Sequence, residues 1–181
     1  IQTVNLPNFA DYITAPEVKL LLSIQAYQEA IHSQSYATIL ESVVESAERE
    51  EIYNFWRDDK ILLGRNRYIG SIYEDFRDDP TDANFFRAMV ANFLLESLYF
   101  YNGFAFFDTL VDHMKMPATG RMIAYIRRDE LTHVTLFANI IREIKKEFPE
   151  VYDEALINDM MRVAVDQEIE WSKHILGNKI P

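Results

Sequence analysis

From residue 85 to about residue 113 the chain is almost wholly apolar, and no lysine or arginine occurs between Arg87 and Lys115. The run is far too long for one strand and holds no proline. As a helix rising 1.5 Å per residue it would span about 40 Å. It is apolar around most of its circumference, so the expectation is a central, buried helix. With only 5 glycines and 6 prolines in 181 residues, long helices can run uninterrupted and a turn-rich β fold is disfavoured. The 49% apolar content supplies the core of one globular domain over residues 1–181.

The rest of the chain reads the same way. Residues 1–15 contain Pro7 and Asn8 and are expected to be irregular. Pro16 and Glu17 open a helix, with an apolar stripe of Leu20, Leu21, Ile24, Tyr27, Ile31, Ile39, Leu40 and Val43 at helical spacing. Shorter helices are expected over 42–58 and 62–76. Asp78-Asp79-Pro80-Thr81-Asp82 is a turn feeding a helix N-cap. Met116-Pro117-Ala118-Thr119-Gly120 breaks the chain before a long helix over 121–148, ended by Pro149, and a last helix runs from about 151 to 176. The fold class is all-α.

Charge narrows the function. With 29 acidic residues against 18 basic ones, a net charge of −11, the surface repels phosphate backbones and no nucleic-acid partner is expected. Neither a run of eighteen apolar residues nor a basic-then-apolar leader occurs, so no membrane span is expected and the location is read as cytoplasmic. The chain has no cysteine. A metal would therefore be held by carboxylates and imidazoles, which suits iron, manganese or zinc, and any dithiol chemistry would belong to another chain.

Two helices carry the same pattern, Glu29-Ala30-Ile31-His32 and Glu130-Leu131-Thr132-His133. Three residues turn a helix by about 300°, which puts Glu and His on one face about 4.5 Å apart along the axis, able to grip one ion together. Alone, such a pair is commonplace in an acidic helical protein. Here Glu96 adds an isolated acid in a third, apolar helix, where an ionised carboxylate needs a partner and its own helix offers no basic one. Two Glu-x-x-His helices plus a Glu from each of two others is the ligand set of ferritin-like di-metal carboxylate bundles, and five of those six ligands are present. His113 and His174 lie near helix ends and are read as surface or capping residues.

Longer segments carry a resemblance. Gln28-Glu29-Ala30-Ile31-His32-Ser33-Gln34-Ser35-Tyr36 resembles the ligand and radical-tyrosine segment of class I ribonucleotide reductase small subunits. Asn92-Phe93-Leu94-Leu95-Glu96 with Tyr99-Phe100-Tyr101-Asn102-Gly103-Phe104 is similar to that family's second ligand helix, and Arg127-Arg128-Asp129-Glu130-Leu131-Thr132-His133 to its third. Gln167-Glu168 with Trp171 is similar to a further helix. The resemblance implies a ferritin-like helical bundle with a dinuclear iron, manganese or mixed cofactor on Glu29, His32, Glu96, Glu130 and His133. It implies that Tyr36 becomes a stable radical and that Phe100, Phe104 and Ile126 shield it. Asp129 would accept the outer N–H of His32 and lie on the electron path, a role that also suits a partner of a ligating histidine. The implied partners are a large subunit, which makes deoxyribonucleotides for DNA synthesis, and a second copy of this chain.

The family pattern also has an acid about thirty residues before its first Glu-x-x-His, which here falls just before Ile1. The expectation is that the natural polypeptide extends upstream of Ile1 and carries that sixth ligand there. Asp11 is not promoted to the role, and Glu168 or Glu170 is the alternative. Two other readings stay open: another ferritin-like di-metal oxidase or oxygenase, and a metal-free, inactive helical fragment.

Overall fold

A computed structural model describes residues 2–177. Among them no strand occurs, no helix is long and apolar enough to cross a membrane, and two compact units divide between Leu63 and Gly64.

The first unit is built on α1 (Gln2–Tyr12), packed on α2 (Pro16–Val43), followed by α3 (Ser46–Asp58). The expected irregular start is instead helical. Pro7 lies inside α1, exposed. It deletes one ladder hydrogen bond, but Leu6 and Phe9, one turn apart, are 0% and 1% exposed, and their burial outweighs that loss. Arg49 ends α2 firmly, donating from Nε to the Val44 carbonyl at 2.9 Å and from Nη2 to the Glu41 carbonyl at 2.8 Å.

Most of the expected apolar stripe of α2 does not face inward. Leu20, Leu21, Ile24, Tyr27, Ile31 and Val43 are exposed, while Leu22, Gln25, His32 and Ile39 are buried. The buried positions belong to the series 22, 25, 29, 32, 36, 39, whose steps alternate between three and four and so mark one helical face. That series carries Glu29, His32 and Tyr36. The helix turns its polar stripe inward, so hydropathy alone assigns the wrong side.

The second unit starts within α4 (Lys60–Asp78) and continues through α5 (Asp82–Leu94), a π-helical turn (Leu95–Tyr99), α6 (Tyr101–Asp112), α7 (Pro117–Glu147) and α8 (Glu154–Leu176). The turn before α5 is as expected: the Thr81 hydroxyl accepts the Asn84 N–H at 3.3 Å. Asp153 caps α8 in the same way, accepting the Leu156 N–H at 2.9 Å. The break before α7 is made by Met114 and Met116 in left-handed conformation, φ 59° and 50°. Pro117 then occupies the first helical turn, where its missing N–H costs nothing.

The long apolar run is not one regular buried helix. It is wound as π helix from Leu95 to Tyr99, and burial falls off beyond that point. Residues 88–92 and Leu94 are buried in α5, whereas in α6 Phe104 is buried and Tyr101 and Phe106 are 67% and 51% exposed. α7 packs along α5, the π turn and α6, and α8 packs on α5 and the π turn. The α7 seam is Ile123, Ile126, Glu130, His133, Phe137, Ile140 and Ile144, all buried, again in alternating steps of three and four, the spacing that packs one helix along another at a shallow angle.

Candidate metal centre

The α7 seam places Glu130 and His133 in its middle, 5% and 2% exposed, between Ile126 and Phe137. Glu96, 3% exposed, enters from the π turn. His133 Nδ1 is 2.8 Å from Glu130 Oε2 and 3.4 Å from Glu96 Oε2, and each of the three residues offers a ligand atom within 4.8 Å of the others'. Two carboxylates this close, out of water, repel unless a cation or proton sits between them. Their oxygens and the imidazole form the donor set that a first-row divalent cation takes, so these residues fit a metal centre. Asn92 Nδ2 donates to Glu96 Oε1 at 3.2 Å while its Oδ1 accepts from the Tyr73 hydroxyl at 2.8 Å, which fixes one carboxylate oxygen from behind.

In the first unit, Glu29 Oε2 and His32 Nδ1 are 4.0 Å apart with side chains 12% and 6% exposed. The two Glu-x-x-His pairs thus both form as paired, shielded side chains, each on its own helix face. Tyr36 is in phase with Glu29 and His32 on α2, one turn further on, and is 40% exposed. Of the residues assigned to shield it, Phe104 and Ile126 are 6% and 4% exposed, and Phe100 and Phe104 stack at 6.3 Å between ring centroids. Asp129 is 24% exposed, with Arg128 Nη2 3.8 Å from its Oδ1. His113 lies exposed at the end of α6, and His174 lies exposed in the last turn of α8, 5.8 Å from the Trp171 ring.

Ile1, beside which the sixth ligand is expected, lies outside the described residues. Its alternative Glu168 is buried but engaged elsewhere: it ion-pairs with Arg65, and its Oε2 accepts from Asn102 Nδ2 at 2.5 Å. Glu170 is exposed. Arg65 was not singled out from the sequence. Its signal was its place one turn before Ile69 on the buried stripe Ile69, Ile72, Tyr73 and Phe76 of α4. A charged residue on such a stripe needs a buried partner. Burial lowers its pKa to about 10 despite the electrostatic pull of Tyr99, and burial likewise pushes the Tyr99 phenol up, so it stays protonated.

The sequence model of the family described as ribonucleotide reductase, small chain, matches residues 1–181. The chain is 46% identical over 184 aligned positions to the ribonucleoside-diphosphate reductase subunit beta of Treponema pallidum, covering all of this chain and 52% of that protein. It is 41% identical to the protein of the same name from Halalkalibacterium halodurans, covering all of this chain and 53% of that one. It therefore spans about half the length of the curated relatives it matches. Among solved structures it is similar to the ribonucleotide reductase R2 subunit from Clostridium botulinum, with a TM-score of 0.94 at 48% identity over 99% of this chain and 57% of that one. A putative class I ribonucleotide reductase from Bacillus halodurans gives a TM-score of 0.95 at 41% identity, over 99% of this chain and 65% of that one.

Proposed function

Because the chain belongs to the ribonucleotide reductase small-chain family, we propose that it is the metal-binding core of a ribonucleoside-diphosphate reductase small subunit. The observation that carries this is the meeting of Glu96, Glu130 and His133 in the buried seam of α7. In this reading, as the resemblance implies, Glu29 and His32 are further ligands of a dinuclear iron or manganese centre. When bound, the metal pair supplies the power to activate oxygen. Burial of the ligands keeps water from the ions, and Asn92 holds one Glu96 oxygen so that the other stays directed at His133.

Tyr36 is the residue that would carry the neutral radical, and Phe100, Phe104 and Ile126 are the apolar residues that would shield it. Asp129 takes the role that the resemblance implies for it, accepting the outer N–H of a ligating histidine. The radical then starts nucleotide reduction in the cytoplasm on a large subunit that owns the reducing thiols, in keeping with a chain that has no cysteine. A second copy of the chain is the expected neighbour. The outward apolar row of α2, with Leu20, Ile24, Tyr27 and Ile31 between 47% and 68% exposed, is a surface that an isolated chain would not keep in water.

The test is reconstitution of the complete polypeptide with ferrous iron and oxygen, or with manganese and its activating oxidant. The expected result is two metal ions per chain by elemental analysis and an organic radical in the paramagnetic resonance spectrum. Two ions without a radical would favour a different di-metal oxidase, and no bound metal would leave only a helical module.

A further inference from the structure

A second buried polar cluster grips the end of the turn that carries Glu96. Arg65, its side chain 7% exposed, reaches from α4 and donates from Nη2 to the Tyr99 carbonyl at 3.0 Å while ion-pairing with Glu168 of α8. Its guanidinium carbon lies 5.1 Å from the ring centroids of both Tyr99 and Trp171. The Tyr99 hydroxyl donates to Gln167 Oε1 at 2.6 Å, and Asn102, just past the turn, donates to Glu168. Tyr99, the last residue of the π turn, is thus held by its backbone and by its side chain, from two other helices.

The placement is informative because each part of it is costly. A π turn is rare, closes i→i+5 hydrogen bonds with poorer packing, and tends to occur at functional sites. A buried Arg–Glu pair is commonly no more stabilising than apolar residues of the same volume. What apolar residues cannot do is hold a backbone carbonyl, and lysine cannot do it with the same geometry. The planar fork of arginine meets a carboxylate and a carbonyl at once while its faces lie on aromatic rings. Glu96 lies three residues before the carbonyl so held, and four residues after Asn92, which Tyr73 of the same α4 anchors.

We infer that Arg65 is a positioning residue for Glu96: by bridging Glu168 to the Tyr99 carbonyl it locks the π winding of Leu95–Tyr99, and with it the direction of the Glu96 carboxylate toward His133. Without that lock the turn is free to rewind toward regular α helix, which rotates Glu96 away from the imidazole. The inference rests on the reading of Glu96 as a metal ligand.

The experiment is titration of the metal-free complete polypeptide with Mn(II) alone, followed by calorimetry, together with amide hydrogen exchange in the π turn and thermal melting. Four proteins are compared: the parent, Glu96→Ala, Arg65→Lys, and the double variant Arg65→Met with Glu168→Met. Lysine keeps the charge beside Glu168 but lacks the fork, and the double variant leaves no unpaired buried charge, so it folds even where a single substitution would not. The expected result is Mn(II) binding at the Glu96 ion weakened about tenfold or more in both Arg65 variants, with faster exchange at residues 95–99. Parent-like affinity in the folded Arg65 variants, with only the melting temperature changed, would mean a purely structural role and overturn the inference while leaving the ligand reading intact. Parent-like binding by Glu96→Ala, or no binding by the parent, would remove the ligand reading and this inference with it.

Discussion

Gly120 of α7 lies against Val111 of α6 so closely that a Cβ built on the glycine would stand 2.1 Å from Val111 Cγ2. Valine is stiff about χ1 and cannot swing the methyl aside at no cost. Gly120→Ala is therefore expected to destabilise the second unit by about 1–3 kcal/mol, the usual range for overpacking, although alanine is the better helix former. Val111→Ala in the same molecule should restore most of the loss. A double-mutant cycle by urea unfolding checks this, and additive losses would show that the contact is not the cause.

Under the proposed ligand set, metal loading depends on Glu96. Glu96→Ala is expected to bring metal content below two ions per chain, because it takes a buried carboxylate from the donor group around His133. Elemental analysis of the desalted protein reads this directly. Full loading in the variant would remove Glu96 from the ligand set.

Tyr36→Phe should abolish the organic radical signal while both metal ions remain, since the substitution takes away one hydroxyl and no ligand. If the signal persists, Tyr99 is the next residue to test. It is 7% exposed, against 67% for Tyr101.

The cap of α5 offers a stability test away from the metal centre. Thr81→Ala removes the acceptor of the Asn84 N–H and is expected to cost about 1 kcal/mol, seen as a lower denaturant midpoint with unchanged slope. Thr81→Ser should recover most of it.

The helices were legible in the sequence because helical period, scarce glycine and proline, and the start signals at Pro16 and Thr81 all agree. The candidate ligands were legible because Glu-x-x-His is a local pattern and Glu96 an anomaly in an apolar run. The inward face of α2 was not. Its apolar row Leu20, Ile24, Tyr27 and Ile31 is the stronger hydropathy signal, and only the chemistry of Glu29 and His32 marks the opposite side as buried. α1 escaped notice because Pro7 weighs against a helix locally, while the burial of Leu6 and Phe9 that overrides it depends on α2. The partnership of Arg65 with Glu168 joins residues 103 positions apart, a pairing that no local pattern encodes.

The π turn also sets the angular phase of everything after it. Each residue of an α helix advances the chain by about 100°, so the extra residue wound into Leu95–Tyr99 turns α6 out of phase with α5. The face that α5 buries does not continue as a straight line along α6. Deleting one residue within 95–99 would thus do more than shorten a helix. It would re-clock α6 against α7, carrying Phe104 off its buried line and moving the Val111 side chain away from Gly120. The segment behaves as two helices sharing one axis, and the count of residues between Leu94 and Tyr101 is as much a part of the fold as their identity.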